Sequence, residues 1–131
     1  MKYKVVFEGF AETHFIKKFA RKYKGAWDKT REGLFLEFTY VDLLFERNIA
    51  EKITVSHDGE ISICKTEFKI AGTDVSRHAS GNRCIIAINI VTSTVYVLLV
   101  FAKTDIGGES NETKKWQMLV RDNYTEYKRF F

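Results

Sequence analysis

Two neighbouring segments late in the chain constrain its fold more than any other feature. Residues 83–91 and 95–103 are apolar at most positions, and only the short stretch 92–94 separates them. Strands that are apolar on both faces lie inside a sheet, where other elements cover both sides. A three-residue connection requires the two strands to be antiparallel. The pattern therefore predicts an antiparallel pair of central strands.

The first part of the chain has mostly helical periodicity. Residues 2–8 alternate as a strand, and the segments 13–24 and 27–47 carry apolar residues at helical spacing. Gly25 lies between them and suits the left-handed conformation that ends many helices. Two antiparallel helices joined at 24–26 predict an αα-hairpin.

Beyond residue 52, apolar residues recur at every second position, as in a β-strand. A three-residue loop at 57–59 predicts a β-hairpin in which Val55 pairs with Ile61. Beyond Ile63 the apolar residues change from odd-numbered to even-numbered positions, and a β-bulge at 64–65 accounts for the change.

A last segment with helical spacing, 112–128, follows the flexible pair Gly107 and Gly108. The order of elements predicts an α+β fold, in which an N-terminal strand and a helical hairpin pack on a mainly antiparallel twisted sheet with a C-terminal helix. We expect the helices to lie on one face of the sheet. The chain of 131 residues has no internal repeat and no linker, which predicts a single domain over 1–131.

Composition excludes several classes of protein. The chain is 45% hydrophobic and 15% aromatic, which excludes a disordered protein, and no apolar run approaches the length of a membrane span. The N-terminus lacks the apolar stretch of a signal peptide, so we expect a cytoplasmic protein without a membrane partner. Cys64 and Cys84 have neither a CxxC pattern nor a nearby His at ligand spacing, so we expect no metal and no cofactor.

A group of cations surrounds the late strands. The formal net charge is +4, from 21 Lys and Arg against 17 Asp and Glu, a mild preference for anionic partners. The predicted bulge places Lys65, Glu67 and Lys69 on one face of their strand. The cations of interest around the strands are Lys65, Lys69, Arg77, His78, Arg83 and Lys103. No nucleophile elbow, P-loop, HExxH motif or dinucleotide fingerprint accompanies them.

Arg83 and Lys103 form the most specific pair in this group. If Val91 pairs with Val95 around a three-residue loop, Arg83 lies directly opposite Lys103 on the same face. Two adjacent cations repel unless an anion or solvent separates them, so the pair indicates an anion site. A loop of two or four residues would place the two side chains on opposite faces.

Each cation also has a structural interpretation. Lys17 and Arg21 belong to the basic half of the first helix, which any amphipathic helix presents to solvent. Lys65 and Lys69 can protect a sheet edge from aggregation. A charge at the end of a strand, as at Arg83, can simply reach water.

The late strands carry a resemblance to a known family. The stretch 68–73 is followed by Ser80-Gly81-Asn82-Arg83 at the opening of a strand, and then by a hydrophobic strand ending in Lys103. This arrangement resembles the RelE/HigB toxins of bacterial toxin–antitoxin pairs. The preceding order of strand and helical hairpin also matches, over roughly residues 1–105.

The resemblance implies an endoribonuclease that cuts mRNA on the ribosome without a metal and that a cognate antitoxin protein neutralises. In such a reaction a base removes the proton of a ribose 2′-OH, which attacks the adjacent phosphate. Arg83 would clamp the phosphate and Lys103 would be the second cation. Lys69, with Lys65 or His78, would transfer protons. A lysine acts as a base only if its pKa falls, and neighbouring positive charge shifts the pKa in that direction.

The resemblance also assigns the remaining cations to RNA binding. These are Lys65, Arg77, Lys17 and Arg21. Some members of the family place a Tyr after the second cation, whereas the stretch 104–109 has no aromatic residue. Two other functions therefore stay open. One is a toxin or interaction module without nuclease activity, like the gyrase-directed ParE branch, and the other is a basic nucleic-acid-binding domain.

Overall fold

The computed structural model describes residues 1–106 and 111–131. The elements in chain order are β1 (Lys4–Phe7), α1 (Gly9–Ala11), a π-helical turn (Glu12–Ile16), α2 (Lys17–Lys22), α3 (Ala26–Thr39), α4 (Val41–Glu46), β2 (Ala50–Val55), β3 (Ile61–Phe68), β4 (Asn82–Asn89), β5 (Thr94–Ala102), a 3-10 helix (Lys103–Ile106), α5 (Glu112–Asn123) and a second 3-10 helix (Thr125–Phe130). The pair Gly107 and Gly108, predicted to be flexible, lies outside the described residues.

The five strands form one sheet in the order β1-β5-β4-β3-β2. β1 runs parallel to β5, and the other neighbours are antiparallel. The predicted α+β class, with an N-terminal strand, a mainly antiparallel sheet and a C-terminal helix, is confirmed. β4 and β5 are interior strands, as their apolar sequences indicate.

Helices cover both faces of the sheet, so the expectation that they share one face was wrong. On β4, Cys84 and Ile86 point into a core with Trp27 and Phe38 of the hairpin helix α3. The intervening residue of β4, Ile85, belongs to a second core with Trp116 of α5. We call these the hairpin face and the C-terminal face. Strands that are apolar at every position need two such covers.

The helices differ from the prediction mainly at their ends. Helical structure begins at Gly9 rather than at residue 13, and α3 and α4 are separated at Tyr40, which has φ −116° and ψ 48°. α5 ends at Asn123. Gly25 has φ +81°, which confirms the left-handed turn between the hairpin helices.

The β2–β3 hairpin has a different register from the predicted one. Gly59 is left-handed as predicted, with φ +78°. Val55 pairs with Ser62 instead of Ile61, because Ser56 Oγ accepts from the Ile61 N–H at 3.0 Å and draws Ser56 into the turn. The bulge lies at Ile53 of β2. The predicted position, 64–65 on β3, was therefore wrong.

The connection between β4 and β5 has four residues, 90–93, instead of three. The Asn89 side chain accepts from the backbone N–H groups of Val91 and Thr92 at 3.0 and 3.1 Å, so the turn begins one residue after Asn89. Asn89 therefore pairs with Thr94. A register shift between Ile85 and Ile86 then moves the partner of Arg83 to Phe101.

Candidate functional site

Arg83 lies buried at the start of β4 on the C-terminal face, with 5% of its surface exposed. Its Nη1 lies 3.1 Å from Glu67 Oε2, and Glu67 is its direct partner on β3. Its Nε lies 3.6 Å from Oε1 of Glu112, in the first turn of α5. Two carboxylates therefore surround the guanidinium that the resemblance assigns to a phosphate. A buried charge needs such partners, because desolvation penalises an unpaired ion strongly.

His78 joins the same group from the loop before β4. Its Nδ1 lies 3.0 Å from Glu67 Oε2, and its side chain is 87% exposed. An ionised carboxylate only accepts hydrogen bonds, so Nδ1 must donate and Nε2 is the nitrogen left for another molecule. His78, Glu67 and Arg83 thus form a chain from solvent into the core, which we call the His78–Glu67–Arg83 chain.

Arg77 is held beside this chain by two acceptors. Its guanidinium forms an ion pair with Glu37 of α3 and donates to the backbone carbonyl of Glu67 at 3.0 Å. Ser80 Oγ lies 2.6 Å from both the Phe68 and the Arg77 carbonyls and fixes the same loop against the end of β3. The loop that presents His78 is therefore tied to both α3 and β3.

Lys103 is not directly opposite Arg83, so the predicted pairing was wrong. The four-residue turn and the register shift place Lys103 opposite Gly81, whose carbonyl accepts from the Lys103 N–H at 2.8 Å. The Lys103 side chain packs over Gly81, and a Cβ built on that glycine would lie 3.6 Å from Lys103 Cγ. Lys103 therefore lies at the strand ends, beside the residues that lead into Arg83.

The other predicted cations lie on β3, directly after it, and on α2. Lys69 follows the last residue of β3, so the alternation that grouped it with Lys65 does not reach it, and its Nζ lies 3.5 Å from the Thr73 carbonyl. Lys65 is half-buried and pairs with Ile85 of β4. Lys17 and Arg21 are exposed on α2, where Arg21 Nε lies 3.4 Å from the Lys17 carbonyl.

Two buried polar atoms on α5 lie unpaired near this site. Glu112 Oε1 and Trp116 Nε1 have no hydrogen-bond partner among the residues that the structure describes. Glu112 is held near Arg83 by charge alone, at a distance beyond a hydrogen bond. The contact between α5 and Arg83 is therefore weaker than the contact between β3 and Arg83.

The two thiols take no part in this chemistry. Both side chains are buried on the hairpin face. Burial raises the pKa of Cys64 to about 11 and raises the pKa of Cys84 further, so neither forms a reactive thiolate at neutral pH. Within 1–106 and 111–131, no group of three or more His, Cys, Asp or Glu side chains is arranged to hold a metal ion. No helix in those ranges is both long enough and apolar enough to cross a membrane.

Sequence reasoning found the cations of the site but not their acidic partners. The alternation of β3 already placed Glu67 on the face of Lys65, which was a usable signal for its pairing with a cation on the next strand. Glu112 had no comparable signal, because its contact with Arg83 depends on how α5 packs across the sheet.

Comparison of the chain with models of protein families, with curated proteins and with solved structures found no match. The resemblance to the RelE/HigB toxins therefore still depends on the sequence motif and on the order of the elements.

Proposed function

We propose that the protein is the toxin of a type II toxin–antitoxin module and cleaves mRNA on the ribosome, in the cytoplasm. The observation that carries the proposal is the His78–Glu67–Arg83 chain, which holds an exposed imidazole in one orientation at the basic end of the sheet. A carboxylate on Nδ1 fixes the tautomer of a histidine and leaves Nε2 free to accept a proton, an arrangement common to general bases.

The proposed reaction needs a proton acceptor, a proton donor and positive charge. His78 Nε2 would take the proton of the ribose 2′-OH, whose oxygen attacks the adjacent phosphorus. A 2′,3′-cyclic phosphate forms, the bond to the 5′-oxygen breaks, and Lys69 or Lys103 protonates the leaving oxygen. The same lysines would stabilise the charge that accumulates on the phosphorane oxygens.

Arg83 has a positioning role in this proposal. Because its guanidinium is buried and faces Glu67 and Glu112, it lies out of reach of an RNA phosphate in this arrangement. It can still act through Glu67, whose carboxylate it holds beneath His78. Arg83 would then position the base, whereas the resemblance assigns it to the phosphate.

The test is brief induction of the wild type, His78→Ala and His57→Ala in a bacterium, followed by growth curves and primer extension on mRNA. His57 is an exposed histidine in the β2–β3 turn, at the other end of β3, and is a matched control. We expect arrest and mRNA cuts from the wild type and from His57→Ala. His78→Ala should slow cleavage by about 10²–10⁴-fold, the usual contribution of a general base. Equal cleavage by His78→Ala would contradict the proposal.

The second candidate is a toxin or interaction module without nuclease activity. The observation that favours it is the neutralisation of Arg83 by two carboxylates, which removes the most deeply placed cation from any anion site. Growth arrest without mRNA cuts in the same experiment would support this candidate. In either case a small neighbouring gene whose product relieves the arrest on co-expression would identify the proposed antitoxin.

A further inference from the structure

A cleft with a charged rim lies where α2 approaches the ends of β4 and β5. Its volume is about 140 Å³. Its polar lining comes from Lys18 and Lys22 of α2, Asn82 at the start of β4, and Asp105, with the Tyr23 ring beside them. We call it the α2 cleft. It opens on the hairpin side of the sheet end, whereas Arg83 faces the C-terminal side.

Asn82 is the most informative residue of the α2 cleft. Only 6% of its surface is exposed, and its backbone is fixed by pairing with Phe68 and Ala102. Its carboxamide makes no hydrogen bond to any other residue in the described ranges, although the Ser80 hydroxyl accepts from its backbone N–H at 3.0 Å. Because Asn82 also lines the cleft, this amide is available to a ligand that both donates and accepts hydrogen bonds.

The two lysines supply charge at the mouth of the cleft. Lys18 and Lys22 are exposed and one helical turn apart, so they lie on the same side of α2. Neither ammonium lies within 4 Å of a carboxylate among the described residues, which contrasts with the paired arginines of the site. Like charges at this spacing repel each other slightly, and an anion between them would reverse the effect.

We infer that the α2 cleft binds one nucleotide of an RNA strand. The phosphate would lie between Lys18 and Lys22, and Asn82 and Asp105 would bind the ribose hydroxyls or a base edge. Asp105 repels a phosphate, so the phosphate must stay on the lysine side, and the carboxylate is suited to accept from a 2′-OH. The inference rests on the proposed function and adds a substrate subsite to it, at the same end of the sheet as the His78–Glu67–Arg83 chain.

The test measures binding of a short single-stranded RNA and of DNA with the same sequence, by fluorescence anisotropy at several salt concentrations. All proteins carry His78→Ala to prevent cleavage. The cleft variants are Lys18→Ala/Lys22→Ala and Asn82→Ala. The control, Lys2→Ala/Lys4→Ala, removes the same charge at the opposite end of the sheet, since Lys4 pairs with Thr94 at the start of β5.

We expect the cleft lysine pair to weaken RNA binding by about tenfold or more and to lower the salt slope by about 0.7 for the lost phosphate contact. The control pair should change affinity by about twofold or less. Asn82→Ala should reduce the preference for RNA over DNA, and the Asn82 side-chain amide signals of the unsubstituted residue should shift when RNA is added. Melting curves check that each variant is folded.

The possible failures are distinguishable. If both lysine pairs weaken binding equally, or if RNA leaves the Asn82 amide signals unchanged, the subsite is wrong even where the wild type cleaves mRNA. If the wild type neither binds RNA nor cleaves it, the proposed function fails as well. Binding of a free nucleoside monophosphate or inorganic phosphate without RNA binding would overturn the assignment to RNA.

Discussion

The two faces of the sheet are built on different physical principles. On the hairpin face, α3 covers the strands with an apolar core, in which the Phe19 and Trp27 rings stack at 5.2 Å. On the C-terminal face, a similar apolar core around Trp116 ends at a buried cation with two carboxylates. Both faces exclude water, and among the described residues the one charged residue that is buried, Arg83, lies on the C-terminal face.

This difference indicates which face is constrained by more than folding. Apolar side chains of similar volume often replace a buried ion group without loss of stability. Stability alone therefore does not require Arg83, Glu67 and Glu112 where apolar residues would serve. The His78–Glu67–Arg83 chain is accordingly the feature of this molecule for which a functional explanation is needed, and the hairpin face is the scaffold.

The largest effect on the C-terminal face should come from Trp116. Trp116→Ala removes the largest fully buried side chain and should lower the free energy of unfolding by about 3–5 kcal/mol. Trp116→Phe should cost much less, because the indole N–H that it removes has no partner among the described residues. Denaturant unfolding measures both. Equal losses would mean that the indole N–H makes a contact that the described residues do not account for.

Substitutions in the ion group of Arg83, Glu67 and Glu112 should lower the free energy of unfolding by different amounts. Arg83→Met leaves Glu67 and Glu112 without their cation and should lower the free energy of unfolding by about 3 kcal/mol. Glu112→Gln should cost about 1 kcal/mol or less, since its contact is longer and its partner keeps Glu67. Denaturant unfolding at neutral pH gives both values. A larger loss for Glu112→Gln than for Arg83→Met would show that α5, and not β3, holds the guanidinium.

The smallest effect should come from Glu8, which follows β1 and lies close enough to Glu126 in the folded chain to feel its charge. Partial burial, together with the charge of Glu126, raises the pKa of Glu8 above its ordinary value of 4.5. The folded protein therefore holds this proton more tightly than the unfolded chain does, and its stability falls as the pH rises through the interval from 4.5 to the raised pKa. Unfolding midpoints of Glu8→Gln should fall less over that interval than those of the wild type. An identical pH dependence would contradict this origin.

Local features of the fold could be predicted from the sequence, and long-range ones could not. Gly25 and Gly59 signal their own left-handed turns, and β4 and β5, which are apolar on both faces, are placed in the interior of the sheet. The pairing of Arg83 with Lys103 was wrong because the Asn89 side chain begins the turn early and a register shift follows within the pair. Neither event leaves a signal in the alternation of apolar residues.

The candidate site divides in the same way. Glu67 lies near Arg83 because β3 pairs with β4, and His78 lies near it because it belongs to the loop that leads directly into β4. The sequence therefore carried information about both contacts. Glu112 reaches Arg83 only through the packing of α5, and the free carboxamide of Asn82 becomes evident only when its surroundings are known.

We propose that His78, held by Glu67 and Arg83, transfers the proton that starts RNA cleavage. The most direct test incubates purified protein with programmed ribosomes and labelled mRNA, and then identifies the chemical ends of the products. We expect 2′,3′-cyclic phosphate and 5′-hydroxyl ends from the wild type and from His57→Ala, with cleavage by His78→Ala slower by about 10²–10⁴-fold. Products with 3′-hydroxyl and 5′-phosphate ends, or equal cleavage by His78→Ala, would contradict it.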